Sequence, residues 1–156
     1  MNERKLKEIK TFISNQSSES KIYIGSDSEQ YKLNGKWMVD YYTVCVIHID
    51  GCRGCKVFGE KTQEPDYTQD KRKPQYRLMQ EVYKASELYL QLQDCLEDRY
   101  CEVHLDLNSS KKFISNLIVD QAIGYIKGTC NVIPMIKPNS WAASHCADRF
   151  LKTGTI

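Results

Sequence analysis

The sequence predicts an α/β fold: a five-stranded mixed sheet flanked by helices, with an extra helix at the N-terminus. Three observations predict it. Runs rich in β-branched and aromatic residues fill positions 21–62 with short turns between them, the pattern of a three-strand antiparallel meander. Beyond residue 74, segments with apolar residues every three or four positions alternate with two further β-type runs. Such alternation makes parallel neighbours in one sheet, with helices over its faces.

The expected order is α-β-β-β-α-β-α-β-α. Residues 3–14 set Leu6, Ile9, Phe12 and Ile13 among charges, a short amphipathic helix. Asn15 to Glu19 is a polar break. Lys21-Ile-Tyr-Ile-Gly25 opens a strand that runs into Ser26-Asp27-Ser28, and Tyr31 to Lys36, containing Asn34-Gly35, reads as a turn. Trp37 to Asp50 is a long strand, Asp50 to Gly54 a hairpin tip, and Lys56 to Thr62 the returning strand. Residues 63–74 form a polar loop with Pro65 and Pro74. Pro74 suits the first turn of a helix whose stripe is Leu78, Val82, Ala85, Tyr89 and Leu92. Cys101 to Leu107 is a strand. Asn108, Ser109 and Ser110 offer caps for a helix through Lys127, closed by Gly128. Asn131 to Lys137 is the fifth strand, stopped by Pro138. Asn139 or Ser140 caps a last helix to about Lys152.

Composition sets the bounds. At 156 residues the chain fits one domain, 1–156, with residues 1–19 as N-terminal helix and polar connection and 20–152 as core. Charged residues are 27% and hydrophobic residues 41%, which excludes a disordered chain. No apolar run reaches the ~18–20 residues of a membrane span, and Met1 to Lys10 lacks the apolar stretch of a secretory signal. A cytoplasmic location with no membrane partner is the expectation. The seven cysteines are odd in number and scattered, so a disulfide framework is not expected. Cys52-Arg-Gly-Cys55 has zinc-knuckle spacing, but with no second pair it reads as two small residues on a hairpin tip. Cys45, Cys130 and Cys146 sit in apolar surroundings, as core thiols do. The net charge of +2 neither demands nor excludes a nucleic-acid partner.

Four carboxylates stand where a carboxylate needs a reason. Asp27 follows an apolar strand directly, and Asp106 lies near the end of another. Glu81 flanks the apolar stripe of its helix, about 60° from Leu78. Asp148 sits among small residues in the last helix, where close approach to a neighbour is possible. Taken singly, each reads as a cap, a turn residue or a solvated flank. Gathered together, four such groups would repel one another unless a cation joined them. Oxygen donors suit Mg²⁺ or Mn²⁺, and two such ions about 4 Å apart can activate a water and stabilise the leaving oxygen of a phosphodiester.

The four acids occur in the order, and on the elements, that resemble the ribonuclease H-like superfamily. His145-Cys-Ala-Asp148-Arg-Phe-Leu also resembles its last-helix motif. The resemblance is closer to the YkuK-type ribonuclease H-like family. It is carried by Gly25-Ser-Asp-Ser28, His104-Leu-Asp-Leu-Asn108, Ala122-Ile-Gly-Tyr-Ile126, Ile136-Lys-Pro138 and Trp141-Ala-Ala-Ser144 with Ala147-Asp148. The resemblance implies a metal-dependent nuclease. Asp27 and Asp106 would bridge two ions, Glu81 would hold the one nearer the leaving group, and Asp148 the one that orients water. Asn108 shares a strand face with Asp106 and competes with it for the fourth-strand position. The alternative is a catalytically silent module of the same fold that binds nucleic acid or a protein.

Other residues could serve nucleic acid. Lys137 ends the fifth strand beside the expected acids. Lys111 and Lys112 open a helix, where an N-terminus favours phosphate. Arg77 joins Lys71-Arg-Lys73 in a basic cluster ahead of Glu81. Trp141, seven residues before Asp148 and on its helical face, could stack on a base, as could Trp37 and some of the ten tyrosines. His145, one turn before Asp148, could shuttle a proton. His104 shares a face with Asp106, either beside the site or as a hydrogen-bonded core group.

Overall fold

The computed structural model describes residues 1–68, 75–107, 113–147, 149 and 152, with backbone alone for 113–117. Its elements are α1 (Glu3–Ser14), β1 (Lys21–Leu33), β2 (Lys36–His48), a 3₁₀ turn at Ile49–Gly51, β3 (Cys55–Pro65), α2 (Gln75–Leu96), β4 (Cys101–Leu105), α3 (Phe113–Cys130) and a π-helix (Ala142–Ala147). The sheet runs β3-β2-β1-β4, antiparallel except for the parallel β1–β4 pair. No described helix is long and apolar enough to cross a membrane.

Strand alternation sorts β1 into two faces. Ile22 and Ile24 join Cys45, Ile47, Ile9, Val82, Leu92 and Ile126 in the core beneath α1, α2 and α3. Ser26 and Ser28 continue that face toward the strand's C-terminal end. Tyr23, Gly25 and Asp27 face the other way. There Ala147 of the π-helix packs on Tyr42 and Val44 of β2.

Four features differ from the sequence reading. The sheet has four strands, not five. Residues 131–137 run beside β4, but only Met135 forms a parallel bridge, with His104. The Lys137 N–H reaches the Leu107 carbonyl at 2.9 Å, out of step with the bridge. Second, β1 and β2 pair all the way to Leu33 and Lys36, so the turn is Asn34-Gly35 alone. Their positive φ values, 51° and 78°, suit a two-residue hairpin whose twist matches its strands. The polar stretch from Ser26 hides this strand because it has left the core. Third, α3 runs past Gly128 to Cys130, and Asn131, at φ 56°, makes the left-handed exit expected of Gly128. The expected caps Asn108, Ser109 and Ser110 lie outside the described residues. Fourth, Ala142–Ala147 is a π-helix where an α-helix was expected, and Asp148, which follows it, lies outside the described residues.

Candidate functional site

Asp27 and Asp106 meet through register. Ser26 of β1 pairs with Leu105, the last residue of β4, and the two acids are the residues that follow each of them. Both take the face toward the π-helix. Glu81 approaches from α2, on the opposite face, where it is 4% exposed. The Ser28 hydroxyl donates to Glu81 Oε1, and the Ser28 N–H donates to Asp27 Oδ1 at 2.8 Å. One serine, midway along β1, thus touches an acid of the strand and an acid of the helix.

Electrostatics link the three. Burial pushes the Glu81 carboxyl well above the usual range, and the charges of Asp27 and Asp106 push it further. The Ser28 hydroxyl and the Arg77 guanidinium pull the other way. Arg77 stands one turn before Glu81, and its buried Nε has no hydrogen-bond partner among the described residues. Lys137 sets its ammonium 2.8 Å from Asp106 Oδ1. Among the described residues no three His, Cys, Asp or Glu side chains converge to hold an ion in this arrangement. The Ser28 and Lys137 contacts engage one oxygen of each carboxylate, Glu81 Oε1 and Asp106 Oδ1. Asp148, Asn108, Lys111 and Lys112 lie outside the described residues.

The neighbouring residues have structural tasks. His104 is fully buried. Its Nε2–H donates to Glu102 Oε2 at 2.8 Å, and its Nδ1 accepts the Ala142 N–H at 3.1 Å. Burial holds this imidazole below the usual histidine range, against the pull of Glu102. His104, rather than the side chain of Ser140, therefore caps the π-helix. Ser140 contributes its carbonyl, to Ala143 and Ser144. Trp141 lies against Tyr23 and His104, at centroid distances of 4.6 and 5.4 Å. His145 is exposed and bonds Ser144 Oγ at 2.9 Å. Cys52 and Cys55 are exposed, Cys45 and Cys130 buried, and Cys146 half-buried.

Sequence reading assigned no role to Ser28 or Asp66. Period-two alternation puts Ser28 on the α2 face and could have paired it with Glu81. Asp66, 4% exposed, accepts from Gln30 Nε2 and from the Thr68 N–H and hydroxyl at 2.9 and 2.7 Å. Asp followed two residues later by Thr is the signal for such a side-chain-to-backbone turn.

Comparison with curated proteins and with solved structures gives no match. A family model described as Ribonuclease H-like matches residues 5–152. That tie supports a nuclease-like or nucleic-acid-related function at the level of the family. With nearly the whole chain matched, the protein belongs to the ribonuclease H-like family, of the YkuK type.

Proposed function

We propose that the chain is a divalent-metal-dependent nuclease that hydrolyses phosphodiester bonds of RNA, RNA–DNA hybrid or structured DNA. The observation that carries this reading is the placement of Glu81, a buried carboxyl held by Ser28 of β1 beside Asp27; burial first, then the charges of Asp27 and Asp106, push it above the usual range. A fold gains nothing from three acids set in one another's field. A cation among them reverses the sign of the interaction.

The donors suit the cation. Carboxylate oxygens from β1, α2 and β4 fit Mg²⁺ or Mn²⁺, and Lys137 already lays a positive charge on Asp106. Asp148 completes the proposed set, with Asn108 as the neutral candidate beside Asp106. Bound there, two ions would supply an activated water and charge stabilisation for the departing 3′ oxygen. The chain's own groups do the rest. Ser28 orients Glu81 by its hydroxyl. Lys137, at Asp106 and partly exposed, would offer its ammonium to a phosphate of the substrate. Arg77 brings a second cation to the same end of the sheet.

Incubation with Mn²⁺ and end-labelled single-stranded RNA, duplex RNA, RNA–DNA hybrid and branched DNA tests the proposal. Internal cleavage leaving 5′-phosphate and 3′-hydroxyl ends is expected. Asp27→Asn is expected to lower the rate at least ~10³-fold, equivalent to about 4 kcal/mol of barrier. Products with 2′,3′-cyclic ends, or cleavage surviving Asp27→Asn, would sink the mechanism. Mn²⁺ binding without cleavage of any substrate would move the function to the silent binding module.

A further inference from the structure

The β1–β2 hairpin extends well past the core, and aromatic rings gather at its far end. Trp37 pairs with Lys32, on the sheet face that also carries Ser28 and, over it, Glu81. A cleft of about 550 Å³ opens there, lined by Lys36, Trp37, Pro65, Asp66 and Tyr67 among others. Tyr67 stands 72% exposed and Tyr76, at the start of α2, 40% exposed; their rings meet edge to face at 6.2 Å. The Lys32 ammonium lies 4.9 Å from the centre of the Trp37 ring.

We propose that Trp37, Tyr67 and Tyr76 form a stacking platform for the unpaired bases of a single-stranded nucleic acid. The proposal rests on the nuclease reading and narrows its substrate to one with a single-stranded segment.

Three arguments carry it. The backbone beneath half-buried Trp37 and exposed Tyr67 is braced, which a solvent-facing loop does not require. The Asp66 N–H donates to the Trp37 carbonyl at 2.9 Å, while the buried Asp66 carboxylate gathers Gln30 and Thr68. Rings held this way lose little entropy when a base stacks on them. Next, Lys32 and Lys36 add positive charge at the rim, as a phosphate backbone needs. Finally, the reach fits a strand. Trp37 lies opposite Lys32, four residues along β1 from Ser28, the partner of Glu81 on the same face, a run of about 13 Å. That is about four nucleotides at the ~3.4 Å spacing of a stacked strand. A blunt duplex keeps its bases stacked on one another and offers these rings no free face.

The test is fluorescence anisotropy in EDTA, with labelled single-stranded RNA, single-stranded DNA and a blunt duplex of equal length. Single strands are expected to bind more tightly than the duplex. Trp37→Leu, or Tyr67→Leu with Tyr76→Leu, is expected to weaken single-strand binding roughly 5- to 100-fold, the range for losing one stacked base. Tyr67→Leu alone, at an exposed site, keeps the test valid if the Trp37 variant fails to fold. Equal affinity for duplex and single strand, ring variants with unchanged affinity, or no binding of either nucleic acid would each overturn the platform. Binding without metal is read apart from cleavage. Loss of cleavage with ring-dependent binding intact would sink the nuclease reading and leave the platform standing. Cleavage with ring-independent binding would do the reverse.

Discussion

Glu81 concentrates the conflict at the level of single residues. Its folded-state pKa lies above the ordinary glutamate value of about 4.3, burial being the first cause and Asp27 and Asp106 the next. The folded chain therefore holds this proton more tightly than the unfolded chain. The resulting stabilisation is complete below about pH 4.3 and is lost as pH rises through the folded-state value. Glu81→Gln keeps an oxygen to accept from Ser28 and removes the charge. The metal-free variant should be more stable than its parent by roughly 0.5–2 kcal/mol at mildly alkaline pH, the usual gain from relieving a functional site. It should also lose that part of the pH dependence. Urea unfolding across the pH range measures both, and a variant less stable than its parent would make Glu81 a structural partner of Ser28. At this scale the sequence was informative about charge and silent about contact. Asp27, Glu81 and Asp106 stood out because each broke an apolar pattern. The Ser28–Glu81 bond spans 53 positions, and nothing local to either residue announces it.

Among the elements, the docking of the π-helix on β1 decides whether the acidic end can assemble. A β-carbon built on Gly25 would lie 2.6 Å from the Ala143 nitrogen and 2.7 Å from the Ala142 carbonyl carbon, both backbone atoms. Side chains can rotate away from such a clash, but backbone cannot, so Gly25→Ala must lift the helix from the sheet. The same movement would stretch the bond from the Ala142 N–H to His104. An expected loss of about 1–3 kcal/mol follows, the usual cost of overpacking. Because Asp148 follows Ala147 directly in sequence, the variant should also respond less to Mn²⁺ than its parent. Calorimetry with and without the ion checks both outcomes; unchanged stability would show that the helix has room to shift. The small residues around Asp148 foretold this close approach, and the meander and the helices α1 and α2 followed from periodicity. Periodicity failed where tertiary pairing overrode it. Polar β1 stays a strand as far as Leu33 because β2 pairs with it. Residues 131–137 carry strand-like side chains, yet their ladder on β4 is one bridge, because the Lys137 N–H goes to the Leu107 carbonyl, out of step with it.

For the whole molecule, the acids tie local occupancy to global stability, since they come from β1, α2 and β4. An ion bound only by the folded chain stabilises it by about 2.7 kcal/mol at a concentration 100 times its Kd. In a chain of this size that is a rise in Tm of roughly 5–11 °C. Lys137 makes the expectation sharper. Its ammonium lies 2.8 Å from Asp106 Oδ1 and is 42% exposed, so it can leave Asp106 for solvent at modest cost. An ion at Asp106 and the ammonium compete for the same carboxylate charge. Lys137→Met should therefore lower the Tm of the metal-free protein, because Asp106 loses its counter-charge, and should enlarge the rise caused by Mn²⁺, because nothing competes for the carboxylate. Asp106→Asn should remove the rise in both backgrounds. Thermal melts of the four proteins in EDTA and in millimolar Mn²⁺ separate these effects. If Lys137→Met gains no more from Mn²⁺ than its parent does, ammonium and ion do not share Asp106. If the parent itself melts at one temperature in EDTA and in Mn²⁺, the acidic end of this sheet does not bind the ion, and the proposed chemistry falls with it.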